Sequence, residues 1–337
     1  WQGGLGGSKA PLGKGGWGDR KPPLARGVGG IESPPWQGGL GGIVLKLIWV
    51  TSMQLLDNGL KTSIPAFTAD ASSVSNERPK NITIIGGSGR MGQLFSQQLS
   101  AAGHNVSILG SKGWDDADTL LSKADLVLVS VPIERTIDII KLATKYLSPS
   151  TALADITSIK TQPLQAMLEY HQGPVIGLHP MFGPKVESFS EQKFVVCPGR
   201  NDETFEWLLN WIRILGGNII VCTPEEHDRL MVFVQATQHF SRFSLGAFVA
   251  EEEVDLNRSL LLSTPNYQQE IDIVKRLFAQ NPQLCVEIML ATEERCQAIA
   301  RLASTYNRLA QLVAQKDRFG LIQEFEKAQE FISNFRF

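Results

Sequence analysis

The stretch Asn81–Gly92, which reads NITIIGGSGRMG, decides the fold. A short β-branched run, typical of a buried strand, is followed by a GxGxxG turn and then by a helical pattern. In such a unit the glycines allow a tight turn and close approach of the backbone to a pyrophosphate, which the free N–H groups of the helix N-terminus attract. The residues predicted to bind a dinucleotide here are Gly87, Ser88, Gly89, Arg90, Met91 and Gly92.

Strand and helix patterns alternate after this unit. Strands are predicted at 106–109, 126–131, 152–156, 175–178, 194–197 and 218–222, and helices at 91–102, 116–122, 133–146, 163–170 and 203–215. This alternation predicts an α/β fold, a Rossmann-type doubly wound parallel sheet. Val131 ends the third strand of this sheet and Pro132 follows it, and both are expected to border the dinucleotide.

The strand signal disappears after Thr223. Apolar residues then recur at spacings of three and four, the period of one helical face. Two such series are Phe233, Ala236, Phe240, Phe243, Ala247 and Ile299, Leu302, Tyr306, Leu309, Val313. Residues 224–337 are therefore predicted to form an all-helical substrate and dimerisation domain after a dinucleotide-binding domain at 80–223. Because such apolar helices need a partner surface, we expect a homodimer.

The first 79 residues differ in composition from the rest. Fifteen of the 31 glycines lie in the first 50 residues, and the heptapeptide WQGGLGG occurs at both Trp1–Gly7 and Trp36–Gly42. Gly and Pro at this density interrupt helices and strands before they can bury a face. We therefore expect residues 1–79 to be a disordered tail and linker.

The overall composition excludes several classes of protein. A formal net charge of −2 lacks the basic field of a nucleic-acid binder. No apolar run approaches the roughly 20 residues of a membrane-spanning helix. Four widely separated cysteines without a CxxC pair indicate a reducing compartment and no metal site. We expect a cytoplasmic protein that binds neither nucleic acid nor membrane.

The end of the second predicted strand bears on the choice between NAD and NADP. The acidic residue that ordinarily holds the ribose of NAD is replaced there by Gly110, Ser111 and Lys112, of which the last two could hold a 2′-phosphate. Asp115 and Asp116 follow and could still take the acidic role. The sequence leaves both cofactors open and favours NADP.

Two polar residues follow neighbouring strands. Ser158 comes after the fourth predicted strand and His179 after the fifth, at the carboxyl edge where doubly wound sheets bind ligands. A histidine suits general-base work because its unperturbed pKa lies near operating pH. The sequence predicts that His179 and Ser158 are catalytic, and His171 structural.

Several motifs together resemble a known family. GGSGRMG, SVPI, PLQAMLEYH, GLHPMFGP, EHD, QATQHF and RLFAQNPQL are similar to bacterial prephenate dehydrogenases, and closest to the form usually fused to chorismate mutase. The similarity covers about residues 80–337. It implies oxidative decarboxylation of prephenate to 4-hydroxyphenylpyruvate in tyrosine biosynthesis.

The resemblance also implies residue roles. His179 matches the family's base, Ser158 the serine that hydrogen-bonds this base and the substrate, and Arg276 the arginine that binds the ring carboxylate. His239 matches the histidine associated with the substrate side chain and with inhibition by tyrosine, whereas His227 of EHD matches a structural position. A second family arginine is replaced by Gln268. Arogenate dehydrogenase and a non-catalytic, nucleotide-sensing dimer remain the alternatives.

Overall fold

A computed structural model describes residues 78–335 of the chain. The predicted tail and linker at 1–79 therefore lies, except for its last two residues, outside the described part. Residues 78–80 lead directly into the first strand.

Seven strands form a single sheet among the described residues, in the order β2-β1-β3-β4-β5-β6-β7. Their bounds are β1 Asn81–Ile85, β2 Asn105–Leu109, β3 Leu126–Val129, β4 Ala152–Asp155, β5 Val175–Pro180, β6 Lys193–Arg200 and β7 Asn218–Val221. The first five are parallel, and the order reverses at β1, which lies between β2 and β3. The predicted Rossmann-type sheet is confirmed, and its ligand crevice opens at this reversal.

One prediction about the sheet is wrong. Strand β6 pairs with β5 in the antiparallel direction, and β7 follows β6, so the last two strands run against the first five. The cause is the connection 181–192, which contains no helix. A parallel pair needs a crossover of a dozen or more residues, usually helical, whereas a loop that returns directly produces an antiparallel pair.

Helices cover both faces of the sheet. They are α1 Arg90–Ala101, α2 Ala117–Ser122, α3 Thr136–Ala143, α4 Thr161–Tyr170 and α5 Glu206–Ile214, with 3₁₀ turns at Trp114–Asp116, Ile133–Arg135 and Asp202–Phe205. Strands β3 and β4 are buried at every residue, as expected for central strands of a doubly wound sheet. One apolar cluster packs around Phe95 and Phe194, and the other, on the opposite face, around Leu121 and Cys197.

The described chain after β7 is helical, as predicted. It forms α6 Pro224–Met231, a π-helical segment Val232–Thr237, α7 Gln238–Glu251, α8 Leu256–Leu261, α9 Pro265–Phe278, α10 Pro282–Leu290, α11 Glu293–Ala314 and α12 Arg318–Ser333. The change from β7 to α6 falls close to the predicted domain boundary at 223, which stays a prediction. No helix in the described residues is long and apolar enough to cross a membrane.

The apolar face predicted from Phe233 to Ala247 is only partly buried in the single chain. Ala236 is fully buried, whereas Phe233 and Phe243 are 63% and 46% exposed. The π segment widens the turn and shifts the face from a regular 3.6-residue period. Further aromatic side chains, among them Phe319 and Phe325, are also exposed. The helical part thus carries large apolar side chains that the single chain leaves uncovered.

Candidate active site

The glycine turn between β1 and α1 has the geometry that a pyrophosphate requires. Gly86 adopts φ of +81°, and a Cβ there would lie 2.2 Å from the carbonyl oxygen of Ser130. A Cβ at Gly92 would lie 2.7 Å from the Gly86 oxygen, so the helix packs on the turn without side chains between them. Gly89 is the N-cap of α1 and makes no side-chain cap, and the first turn of the helix contains no acidic residue. These features fit a bound NAD(P).

The predicted adenosine end of this site lies at the end of β2. Ser111 and Lys112 are exposed there, and a Cβ at Gly110 would meet nothing within 4 Å. Asp115 and Asp116 are exposed in the 3₁₀ turn that follows. Across the turn, the half-buried Val131 approaches Gly86, and the exposed Pro132 directly precedes the next 3₁₀ turn. The predicted cofactor residues thus border the crevice at the β1–β3 reversal.

His179 lies within the carboxyl end of β5 and is buried. Its Nδ1 atom is 2.7 Å from Nε2 of His227, which α6 supplies. Its Nε2 atom is 3.2 Å from Nε2 of Gln235, which the π segment supplies. Both ring nitrogens are therefore in contact with residues of the helical part of the chain.

Asp228 is the last member of a hydrogen-bonded series of side chains that runs from His179 through His227. Its Oδ1 atom is 2.7 Å from Nδ1 of His227 and also accepts the backbone N–H of Lys160 at 2.8 Å, while its Oδ2 atom accepts the N–H of Thr161 at 2.9 Å. Burial alone would raise the pKa of this carboxyl, but the hydrogen bonds from His227, Thr161 and Lys160 outweigh it and lower the pKa to about 2. Asp228 is therefore ionised and can only accept protons.

The ionised carboxylate determines where the imidazole protons lie. Because Asp228 accepts, Nδ1 of a neutral His227 carries the proton, and its Nε2 atom is an acceptor. Nδ1 of His179 must then be the donor to His227, which leaves the lone pair of His179 on Nε2. The amide nitrogen of Gln235, which can only donate, faces that lone pair. The contacts thus agree on one tautomer, with a basic Nε2 atom on His179.

The surroundings keep His179 neutral. Its pKa is well below the usual value, first because the ring is buried and then because His227, Lys160 and Arg295 oppose an added positive charge, while Asp228 acts weakly in the other direction. The pKa of His227 is also lowered, chiefly by burial. At neutral pH the Nε2 atom of His179 is therefore free to accept a proton.

A buried lysine fixes the strand ends beside this histidine. The Lys160 ammonium pairs with Asp155 and donates to the carbonyl oxygen of Leu178 at 2.7 Å, directly before His179. Asp155 also accepts from the backbone and hydroxyl of Thr157. Lys160 and Asp155 are fully buried, so each charge depends on the other for compensation. This pair ties the end of β4 to the end of β5.

Ser158 lies at this edge but does not make the expected contact. The ring nitrogens of His179 are engaged by His227 and Gln235, and the structure contains no hydrogen bond between Ser158 and His179. Instead, the Ser158 carbonyl oxygen accepts from the buried Arg295 guanidinium at 2.9 Å, which also donates to the carbonyl oxygen of Ile288. Arg295 thereby links the serine loop to the helical part.

The two predicted substrate residues lie on different helices. His239 is half-buried on α7, and its Nδ1 atom is 2.8 Å from the backbone oxygen of Gln235, the residue that faces His179. Arg276 is exposed in the last turn of α9 and has no hydrogen-bond or ion-pair partner within 78–335. Gln268 is also exposed on α9. The structure thus connects His239, but not Arg276, to the surroundings of His179.

The contacts around His179 involve four residues that are not among the predicted site residues: His227, Asp228, Gln235 and Arg295. The family resemblance predicts a structural role for His227, yet its ring contacts His179 directly, and the EHD motif is the signal that locates it together with Asp228. Gln235 depends on the π segment, and Arg295 on packing between distant elements, neither of which has a recognisable local pattern. His171 has the expected structural role, with Nε2 2.7 Å from the Thr151 oxygen.

Comparisons with known proteins agree with this architecture. The family model described as "Prephenate dehydrogenase, nucleotide-binding domain" matches residues 100–221, and "Prephenate dehydrogenase, dimerization domain" matches residues 223–327. The chain belongs to the prephenate dehydrogenase family. It is therefore an NAD(P)-dependent oxidoreductase of the kind that decarboxylates prephenate oxidatively, as the resemblance of its motifs predicted.

Two relatives cover most of the chain. The T-protein of Haemophilus influenzae is 40% identical over 254 residues, 75% of this chain and 67% of that protein. The T-protein of Enterobacter agglomerans is 38% identical over 278 residues, 82% of this chain and 71% of that protein. A crystal structure of Aquifex aeolicus prephenate dehydrogenase, in complex with hydroxyphenyl propionate and NAD+, superposes with a TM-score of 0.59 at 19% identity. The match covers 77% of this chain and 99% of the Aquifex chain, and it supports the fold.

Proposed function

We propose that His179 is the general base of the prephenate dehydrogenase reaction. The observation that carries this proposal is the pair of 2.7 Å contacts that link Asp228, His227 and His179. With an ionised Asp228 they place the lone pair on Nε2 of a buried ring whose pKa is lowered. A base must be unprotonated and within reach of the proton it removes. The ring hydroxyl of prephenate can donate to this atom once it takes the place of the Gln235 amide.

In this mechanism His179 accepts the hydroxyl proton while hydride leaves the same ring carbon. The nicotinamide supplies the hydride acceptor when the cofactor is bound at the glycine turn. The ring carboxylate leaves as CO2, and the electron pair of the broken bond completes the aromatic ring of 4-hydroxyphenylpyruvate. The charge on His179 is then shared with His227 and the ionised Asp228 through two hydrogen bonds of 2.7 Å.

We assign the other predicted site residues to the substrate. Arg276 has five N–H donors without a partner in the described chain, which suits a bidentate bond to the ring carboxylate. Ser158, half-buried at the edge between β4 and β5, would bind the ring hydroxyl beside His179. His239 would face the substrate side chain and, in the same position, tyrosine as a feedback inhibitor. Gln268 in place of an arginine is expected to weaken that response.

The test of the base is the variant His179→Asn. We expect kcat to fall by about 10²–10⁴-fold, the usual contribution of a general base, while NAD(P) binding followed by fluorescence is unchanged. Assays with prephenate and with arogenate determine which substrate the chain prefers, and we expect prephenate. Turnover close to that of the parent protein in the variant would refute the role of His179. Binding of cofactor without turnover of either substrate by the parent would favour the nucleotide-sensing dimer.

We also propose a preference for NADP. The end of β2 presents the exposed Ser111 and Lys112 and no carboxylate, so repulsion of a 2′-phosphate is absent there. Loss of the carboxylate–ribose hydrogen bonds weakens NAD by about 1.5–3 kcal/mol, and an exposed Lys112 adds about 1 kcal/mol for the phosphate. We expect kcat/KM for NADP to exceed that for NAD by about ten- to a thousandfold. Lys112→Ala should reduce this ratio, and a clear preference for NAD would assign the ribose to Asp115 or Asp116.

A homodimer is the proposed assembly. The segment 223–327 matches a dimerisation domain, and the exposed Phe233, Phe243 and Phe319 provide apolar side chains for a partner copy to bury. Sedimentation velocity of the full chain should give twice the monomer mass.

A further inference from the structure

Two of the four cysteines lie side by side next to the candidate active site. Val196 of β6 is paired in register with Val221 of β7, so the next residues, Cys197 and Cys222, are also neighbours. The ladder extends to them, since the Cys222 N–H donates to the Val196 oxygen at 3.1 Å. Both side chains pack on the same apolar cluster and therefore point to the same face of the sheet.

This placement meets the distance requirement of a disulfide. Neighbouring strands are about 4.8 Å apart, and disulfide-bonded residues have Cα atoms about 4.4–6.8 Å apart. Cys222 follows the last residue of β7, where the chain is no longer constrained by the regular ladder. Both cysteines are free thiols in the structure.

The two thiols differ in solvent exposure and in pKa, as a reactive pair requires. Cys197 is fully buried, whereas Cys222 is partly exposed. Interaction with the neighbouring thiol and burial both raise the pKa of Cys197, whereas the same interaction lowers the pKa of Cys222 against the opposing effects of burial, Glu226 and Asp228. Cys222 is thus the more accessible thiol and Cys197 the buried one, as in pairs of a peroxide-reactive and a resolving cysteine.

The pair is connected to the proposed base through α6. Cys222 directly precedes Thr223, the N-cap of α6, and this helix carries His227, whose ring contacts His179 at 2.7 Å. Only one turn of helix separates Cys222 from His227. A change in the position of Cys222 therefore shifts the start of the helix whose His227 orients His179.

We propose that Cys197 and Cys222 are a peroxide-reactive pair that closes to a disulfide and thereby slows the enzyme. The Cys222 thiolate attacks hydrogen peroxide, the O–O bond breaks, and protonation of the departing hydroxide gives a sulfenic acid and water. The Cys197 thiol then displaces the sulfenic oxygen as a second water and forms the S–S bond. The pair loses two electrons to the peroxide. The start of α6 moves as the sulfurs approach to about 2.05 Å.

The experiment uses the full chain carrying Cys285→Ser and Cys296→Ser, which leaves the proposed pair as its only cysteines. After treatment with hydrogen peroxide we expect a peptide cross-link between Cys197 and Cys222 by mass spectrometry. We also expect kcat to fall about tenfold, equivalent to about 1.4 kcal/mol in the barrier, and to recover with dithiothreitol. Adding Cys222→Ser should abolish both effects, and adding Cys197→Ser should leave a sulfenic acid on Cys222 that dimedone labels.

Two results would overturn the proposal. Absence of the cross-link, with Cys222 oxidised no faster than the thiols of the urea-unfolded chain, would show that the pair is not reactive. A complete cross-link with unchanged kcat would show that the disulfide does not reach His227. The cross-link is measured without turnover, so the outcome for the pair is independent of the assignment of His179.

Discussion

At the scale of single residues, the carboxylate of Asp228 controls a proton that lies two side chains away. It accepts from two backbone N–H groups and from His227, so no orientation of a neutral amide reproduces its contacts. If the amide oxygen of an asparagine accepts from Thr161, its NH₂ group faces His227 and reverses both imidazole tautomers. His179 would then present N–H, instead of a lone pair, to the substrate.

Asp228→Asn should consequently lower kcat by about 10²–10⁴-fold, the range for loss of a general base or of its correct tautomer. The acid limb of the pH profile of kcat/KM should lie below pH 6.5 in the parent protein, because the pKa of His179 is lowered by burial, His227, Lys160 and Arg295. The matched control is His171→Asn, which removes another buried histidine away from this network. Equal kcat values for the two variants would contradict the tautomer argument.

At the scale of elements, the turn between β1 and α1 places a helix N-terminus against the strand ends. Gly92→Ala would put a Cβ 2.7 Å from backbone atoms of Gly86 and Gly87, and neither can move without opening the turn. We expect weaker NAD(P) binding, by at least tenfold in Kd, and a loss of stability of about 1–3 kcal/mol, the range for overpacking. Gly110→Ala is the control for stability, because its Cβ would meet nothing within 4 Å. Unchanged affinity in Gly92→Ala, measured by calorimetry, would contradict this role of the turn.

Individual strands and the position of His179 are predictable from the sequence, whereas the direction of one strand and the long-range contacts of the site are not. The presence of β1 is predicted, because Ile82–Ile85 are all β-branched and are followed by glycine. His179 is found because its motif coincides with a strand end. The direction of β6 is missed because strand patterns carry no direction, and the loop 181–192 decides it. The contacts of His227 and Gln235 with His179 join positions 48 and 56 residues apart, and local periodicity contains no information about them.

Arg276 shows a different limit of the sequence. A family motif identifies it, yet the single chain leaves its guanidinium exposed and unpaired within the described residues. An exposed arginine has the same local pattern whether it binds substrate or is merely solvated, so periodicity cannot distinguish the two. The proposed role of Arg276 therefore depends on substrate, or on the closure of the helical part around it.

At the scale of the whole molecule, burial of histidines makes stability depend on pH. His171, His179 and His227 are at most 3% exposed, and burial is the largest cause of the lowered pKa of each. In the unfolded chain these rings take up protons near pH 6.5, whereas in the folded chain they resist until lower pH. Below pH 6.5 the unfolded state therefore binds more protons, and the free energy of unfolding decreases as the pH falls towards the folded pKa values.

We therefore expect the urea midpoint to be constant above about pH 7 and to decrease steadily from pH 6.5 to 5. Each ring contributes at most about 1.4 kcal/mol per pH unit to the free energy of unfolding. His171→Asn removes one titrating ring without touching the candidate site, so its slope between pH 6.5 and 5 should be shallower than that of the parent. Asp228, with a pKa of about 2, adds its own loss only below about pH 4, since its carboxylate stays ionised above that range. A midpoint independent of pH between 7 and 5, or an identical slope in His171→Asn, would show that these rings are solvated or already protonated in the folded protein.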